Sequence, residues 1–176
     1  MRTKNEWLFG MGVAMVSFAA GQASAQTITQ IIDSTGDGAG NVLTRPFGIA
    51  ADVTGNVYVA GRFSHNAFKI TPGGVITQII DSTGDGTGNS LVNPLCIAVD
   101  GSGNVYATGG TSDNAFKITP GGVITEIIDA TGDGAGNTLS LPFGIAVDGS
   151  GNVYVAGSGS DNVFKITPGG VITEII

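Results

Sequence analysis

The chain repeats itself every 48 residues: Ile28, Ile76, Ile124 and Ile172 each open the segment ITQII or ITEII. Three whole copies run 28–75, 76–123 and 124–171, and a partial fourth occupies 172–176. Copies two and three agree at 35 of 48 positions. A period of this length describes an array in which one supersecondary unit is too small to bury its own apolar face and must stack on its neighbours.

Within the last full copy, FGIAVD, NVYVAG, NVFKIT and GVITEII are short runs of β-branched and aromatic residues separated by Gly, Pro, Asp and Ser. They read as four strands, A to D. DGSGN (148–152) joins A to B and TPGG (167–170) joins C to D. Both are tight-turn compositions, in which glycine supplies positive φ and proline presets its own φ, so consecutive strands pair antiparallel. Beyond the N-terminal segment no stretch has sustained helical periodicity, and the array is expected to be all-β. Phe68, Phe116 and Phe164 alternate with Ile70, Ile118 and Ile166 on the core side of strand C. The intervening Lys69, Lys117 and Lys165 are expected on the other side, solvated or paired across blades.

PFGIAVDGSGNVYVAG (142–157), DNVFKITPGGVIT (161–173) and the recurring GDG loop resemble the NHL-type β-propeller repeats of bacterial exported proteins, and the resemblance covers essentially all of 26–176. It implies that each four-stranded unit is a blade, with strand A lining a central channel and strand D at the rim. The period and strand number independently fit a blade. TITQII (27–32) is expected as a lone N-terminal D strand ahead of three complete blades. A ring typically needs about 4 to 8 blades, so three form an incomplete ring with exposed end faces. Those faces are covered either by further repeats of a longer array, of which this chain is then a fragment, or by a second copy in a homodimer closing a six-bladed ring. The alternative fold is a β-trefoil, which is also built of three four-stranded units.

Ahead of the array, MRTKNEWLFGMGVAMVSFAAGQASAQ combines basic Arg2 and Lys4, an apolar run from Trp7 to Ala20, and small residues at Ala23, Ser24 and Ala25. This is the pattern of a secretory signal peptide spanning 1–25, and the run is too short for a membrane anchor. The expected location is periplasmic or extracellular. Removing Arg2, Lys4 and Glu6 from 7 basic and 14 acidic side chains leaves 5 and 13, moving the formal charge from −7 to −8. So acidic a chain is not expected to bind nucleic acid or anionic membrane. Cys96, the lone cysteine, stands where Gly48 and Gly144 stand in the other copies, and reads as a small buried side chain.

The loop TGDGAGN (35–41) returns as TGDGTGN (83–89) and TGDGAGN (131–137) in the D-to-A connection. As a phosphate loop it fails, since no Lys-Ser or Lys-Thr follows and Asp33 and Asp37 repel an anion. Asp33, Asp37, Gly38 and Asn41 take positions one, five, six and nine of an EF-hand spacing, but Thr35 and Thr44 stand where two acids are needed. The loop therefore reads as a connector whose Asp and Asn cap the turn, with no cofactor or metal assigned. Asp100 and Asp148 are read likewise as turn formers.

In an up-and-down blade the B-to-C and D-to-A loops share one face, and differences between copies concentrate there. GRFSHN (61–66) faces GGTSDN (109–114) and GSGSDN (157–162), and Arg45 faces Asn93 and Leu141. Arg45, Arg62, Phe63 and His65 are peculiar to the first copy and form the candidate ligand-binding set. The expected function is non-catalytic interaction with a protein, glycan or other ligand. The alternative is an enzyme resembling six-bladed streptogramin lyases and gluconolactonases, whose sites gather several different residues from different blades. Here His65 is the single histidine, Glu126 and Glu174 fall on strand D, and no acid–base pair assembles.

Overall fold

A computed structural model describes residues 27–176, and the expected signal peptide lies outside them. Twelve strands form three sheets. The first blade holds β1 (Pro46–Ala51), β2 (Val57–Gly61), β3 (Asn66–Ile70) and β4 (Ile76–Ile80). The second holds β5 (Pro94–Val99), β6 (Val105–Gly109), β7 (Asn114–Ile118) and β8 (Ile124–Ile128). The third holds β9 (Pro142–Val147), β10 (Val153–Gly157), β11 (Asn162–Ile166) and β12 (Ile172–Glu174). Each sheet is a meander of four consecutive antiparallel strands. That closure within one repeat excludes the trefoil alternative.

The turns are built as their residues dictate. In the first A-to-B turn, Asp52 accepts the backbone N–H groups of Thr54 at 2.9 Å and Asn56 at 3.0 Å, while Gly55 takes φ 85°. Asp100 and Asp148 repeat the arrangement. The inner strands β1, β5 and β9 lie side by side, each carrying a register shift against its blade's second strand. In the second blade the Thr108 hydroxyl accepts the Cys96 N–H at 3.0 Å within that irregular stretch.

Blades join through one repeated recipe. Tyr58, Ala60, Ala67 and Ile80 of the first blade meet Leu91, Ile97, Phe116 and Ile118 of the second. Tyr106, Ala115 and Ile128 of the second then meet Leu139, Val155, Phe164 and Ile166 of the third. Phe68, Phe116 and Phe164 have no solvent exposure, and burying each contributes about 2–3 kcal/mol. Lys69 and Lys117 cross the faces of Tyr58 and Tyr106, each ammonium 6.0 Å from the ring centroid, because Tyr58 and Lys69 are directly opposed in the ladder, as are Tyr106 and Lys117.

The expectation of a lone N-terminal strand is corrected: residues 27–32 form none, and Ile28 is 92% exposed. Their counterparts β4 and β8 are strands because each hydrogen-bonds to the third strand of its own blade. Residues 27–32 pair with no strand of the three described sheets, and a strand without a ladder leaves its backbone groups to water. Ile32 alone of this segment packs on the first blade's core of Leu43, Val59, Phe68 and Ile70.

Candidate functional site

The face carrying the B-to-C and D-to-A loops has a frame common to all three blades. In the first, the backbone N–H groups of Arg62 and Phe63 donate to the carbonyls of Arg45 and Thr44, both at 3.1 Å. Gly110 and Thr111 bond likewise to Asn93 and Val92, and Ser158 and Gly159 to Leu141 and Ser140. A side-chain staple locks the two loops together. The Asn66 amide donates to the Val42 carbonyl at 3.0 Å, the Ser64 hydroxyl donates to Asn66 Oδ1 at 2.7 Å, and Ser64 Oγ accepts the Thr44 N–H at 3.1 Å. Ser112 with Asn114, and Ser160 with Asn162, repeat it. These asparagines are buried. Sequence reasoning missed this staple, although its signal was the recurring pair Ser-x-Asn in SHN, SDN and SDN.

The GDG loop enters the frame from one side. Gly36 has φ 64°, and a Cβ there would stand 1.8 Å from the Asn41 carbonyl oxygen; Gly84 and Gly132 meet the same obstacle at Asn89 and Asn137. Glycine is therefore demanded by the turn itself. Asp33 accepts the Thr35 N–H at 2.8 Å and hydroxyl at 2.6 Å, and Asp37 accepts the Asn41 amide at 2.6 Å. The Thr35 hydroxyl and the Asn41 amide hold these two carboxyls below the usual carboxylate range. Both oxygens of Asp37 and one of Asp33 are engaged in the turn. Among the described residues no three His, Cys, Asp or Glu side chains converge on a metal position.

On this frame the first blade carries a distinct crown. The Arg45 guanidinium lies 4.7 Å from the Phe63 centroid, and that of Arg62 lies 5.5 Å from both Phe63 and Phe47. Phe47, on β1, also meets Phe143 of β9 edge to face at 6.1 Å. Arg62 Nε is buried and has no hydrogen-bond partner. Of the sequence-derived set, Arg45, Arg62 and Phe63 come together. His65 instead reaches the next blade, where its Nδ1 accepts the Asn93 N–H at 3.0 Å. Asp113 does the same for Leu141 at 2.7 Å. His65 is thus part of an inter-blade strap, and it sits at φ 54° as Asp113 sits at 53°. Phe47 joins the cluster without having been expected; its counterparts Leu95 and Phe143 made it look ordinary in sequence.

The remaining chemistry-bearing groups are occupied elsewhere. Glu126 and Glu174 accept the amides of Asn114 at 2.8 Å and Asn162 at 3.1 Å. Burial pushes the Glu126 carboxyl up, against the lowering effect of Asn114. The Asn152 amide, followed by backbone N–H groups, holds Asp148 down to about 2. Burial, with the hydrogen bond to Asp52, pushes the Tyr58 phenol up to about 12. Grooves of about 780 Å³ between the second and third blades and about 510 Å³ between the first and second share Tyr, Lys and Pro linings. Their recurrence at successive junctions marks them as a product of blade stacking.

The model of the SBBP β-propeller repeat family matches residues 132–165. No curated protein matches the sequence. Among solved structures, virginiamycin B lyase from Staphylococcus aureus is similar with a TM-score of 0.61 at 20% identity over 84% of this chain and 43% of that one. A chain of a nidogen/laminin complex gives 0.59 at 24% identity, covering 76% and 48%. A gluconolactonase from Xanthomonas campestris gives 0.57 at 13% identity, covering 77% and 48%. This chain therefore spans less than half the length of each of these three. At such identities the likeness shows the fold: three blades of a β-propeller in an incomplete ring.

Proposed function

We propose that this chain is an exported, non-catalytic β-propeller module of the NHL type that binds a protein or ligand through the crown of its first blade. One observation carries the reading. On three equivalent frames, only the first gathers Arg45 and Arg62 on the exposed rings of Phe47 and Phe63. Arginine and aromatic side chains are the usual anchors of recognition surfaces.

The non-catalytic part rests on the occupation of the acid–base groups. His65 Nδ1 serves a backbone N–H, and Glu126 and Glu174 serve asparagine amides. General acid–base work needs a tuned pair within reach of one substrate atom. Export rests on the charged start, apolar run and small residues of 1–25, and the NHL assignment on the repeat motifs. A chain of a nidogen/laminin complex shares the architecture, which accords with an interaction role. The likeness to virginiamycin B lyase and to a gluconolactonase supports the alternative, a lyase or lactonase.

The test replaces three crown residues by those of the second blade, Arg45→Asn, Arg62→Gly and Phe63→Thr. The folded variant should lose retention of the partner that the parent chain holds in a cross-linking assay on the cell envelope. Neither chain should turn over a sugar lactone or a streptogramin B above buffer. Turnover by the parent chain reverses the reading in favour of the enzyme. Mass spectrometry of the exported form should find Gln26 first and Trp7 absent.

A further inference from the structure

We infer that the first-blade crown is a subsite for an organic carboxylate with an apolar body, an inference that rests on the interaction reading above and names its ligand chemistry. The starting point is Arg62 Nε, a buried donor without an acceptor. Such a group has given up its water and gained nothing in return, and the guanidinium that carries it stands against the exposed Phe47 and Phe63 rings. The second observation is charge. Arg45 and Arg62 are the only arginines in residues 27–176, in a span with 5 basic and 13 acidic side chains, yet both guanidiniums face the same Phe63 ring. Two like charges share one ring, and a monoanion between them relieves their repulsion and makes charge-assisted bonds.

The same frame in the other blades shows what a closed crown looks like. The Asn93 amide donates to the Thr111 hydroxyl at 2.7 Å, and the Ser158 hydroxyl donates to the Leu141 carbonyl at 2.8 Å. Each of those crowns carries an internal side-chain hydrogen bond, whereas Arg62 Nε is left without one.

Shape and charge select the ligand. A guanidinium is planar and its paired N–H donors match the two oxygens of a carboxylate. Phe47 and Phe143 stand edge to face at 6.1 Å and are 53% and 47% exposed, an apolar wall beside the Arg62 guanidinium. A carboxylate with an aryl or alkyl arm fills both halves. The strongly acidic remainder of the chain disfavours polyanions, which singles out a monoacid.

The experiment titrates the full chain with phenylacetate, its neutral amide phenylacetamide, and acetate at low ionic strength, followed by calorimetry and by NMR of the arginine side chains. Phenylacetate should bind at least about tenfold more tightly than either control, about 1.4 kcal/mol. Its binding should shift the Arg62 Nε–H resonance. Arg62→Gly and Arg45→Asn should each weaken it by about fivefold or more, with Phe63→Thr as an independent third variant. All three introduce the residue of the second blade and should leave the melting temperature within a few degrees of the parent. Equal binding of phenylacetamide, or phenylacetate affinity unchanged in Arg62→Gly, overturns the inference. So does loss of partner retention in the triple crown variant when the parent shows no phenylacetate binding, an outcome that leaves the interaction reading standing.

Discussion

In the crown of the second blade, the Asn93 amide donates to the Thr111 hydroxyl 2.7 Å away. At the same two places of the first blade stand Arg45 and Phe63, and their contact is a guanidinium over a ring at 4.7 Å. The backbone beneath does not register the difference: Arg45 has φ 49° and Asn93 φ 52°, and both carbonyls accept the same loop N–H at 3.0–3.1 Å. A frame held by glycine, serine and asparagine leaves the crown side chains free to differ without altering the backbone beneath them. That is how a nearly uniform array acquires one surface unlike the others.

The largest effect should come from breaking the frame that the two blades share. Gly84→Ala forces a left-handed alanine at φ 62° whose Cβ overlaps the Asn89 carbonyl. It should destabilise by about 3–5 kcal/mol in chemical denaturation, and Gly36→Ala should do the same. An alanine as stable as glycine at both places would dissolve the common frame.

Next come the staples. Asn66→Ala and Asn114→Ala each strip a part-buried carbonyl and a serine hydroxyl of their partner, costing about 1–3 kcal/mol. Because Asn114 also donates to Glu126, its loss should cost the more of the two. Equal midpoints would show that this added bond contributes nothing.

The straps should respond more weakly and by chemical type. His65→Ala should cost about 0.5–1.5 kcal/mol, the worth of one hydrogen bond. His65→Asp should recover it, since Asp113 serves Leu141 in the same way. If aspartate were no better than alanine, His65 would owe its place to something other than this acceptor role.

The smallest effect concerns the A-to-B turns. Asp148 titrates at about 2 against an ordinary 3.8, so its contribution to stability is fully present above pH about 4 and is lost as pH falls through about 2. Asp52 is lowered too, chiefly by the Asn56 amide, and should behave alike. Acid titration of Asp148→Asn should show a smaller stability loss over that interval than the parent. An identical loss would place the acid sensitivity elsewhere.

Much of the fold is legible in the sequence because its causes are local. The 48-residue period, the β-branched runs and the DGSGN and TPGG turns specify the meander, since hairpins need only neighbours in sequence. The burial of Phe68, Phe116 and Phe164 follows from strand alternation. Differences between copies on the loop face single out Arg45, Arg62 and Phe63, and these three meet in the fold.

Contacts between segments far apart in the chain, by contrast, are settled by packing alone. TITQII at 27–32 has the composition of β4 yet forms no strand, because a strand exists through its partner. His65 looked like a companion of the arginines, and is instead turned to a backbone N–H 28 residues on. Phe47 looked like one more strand residue, and instead joins Arg62 to Phe143, which lies 96 residues after Phe47. The unit and its turns are readable from the chain alone, since their energetics are settled within a few residues. Stacking of blades decided which side chains share a surface, because that depends on distances no local pattern encodes.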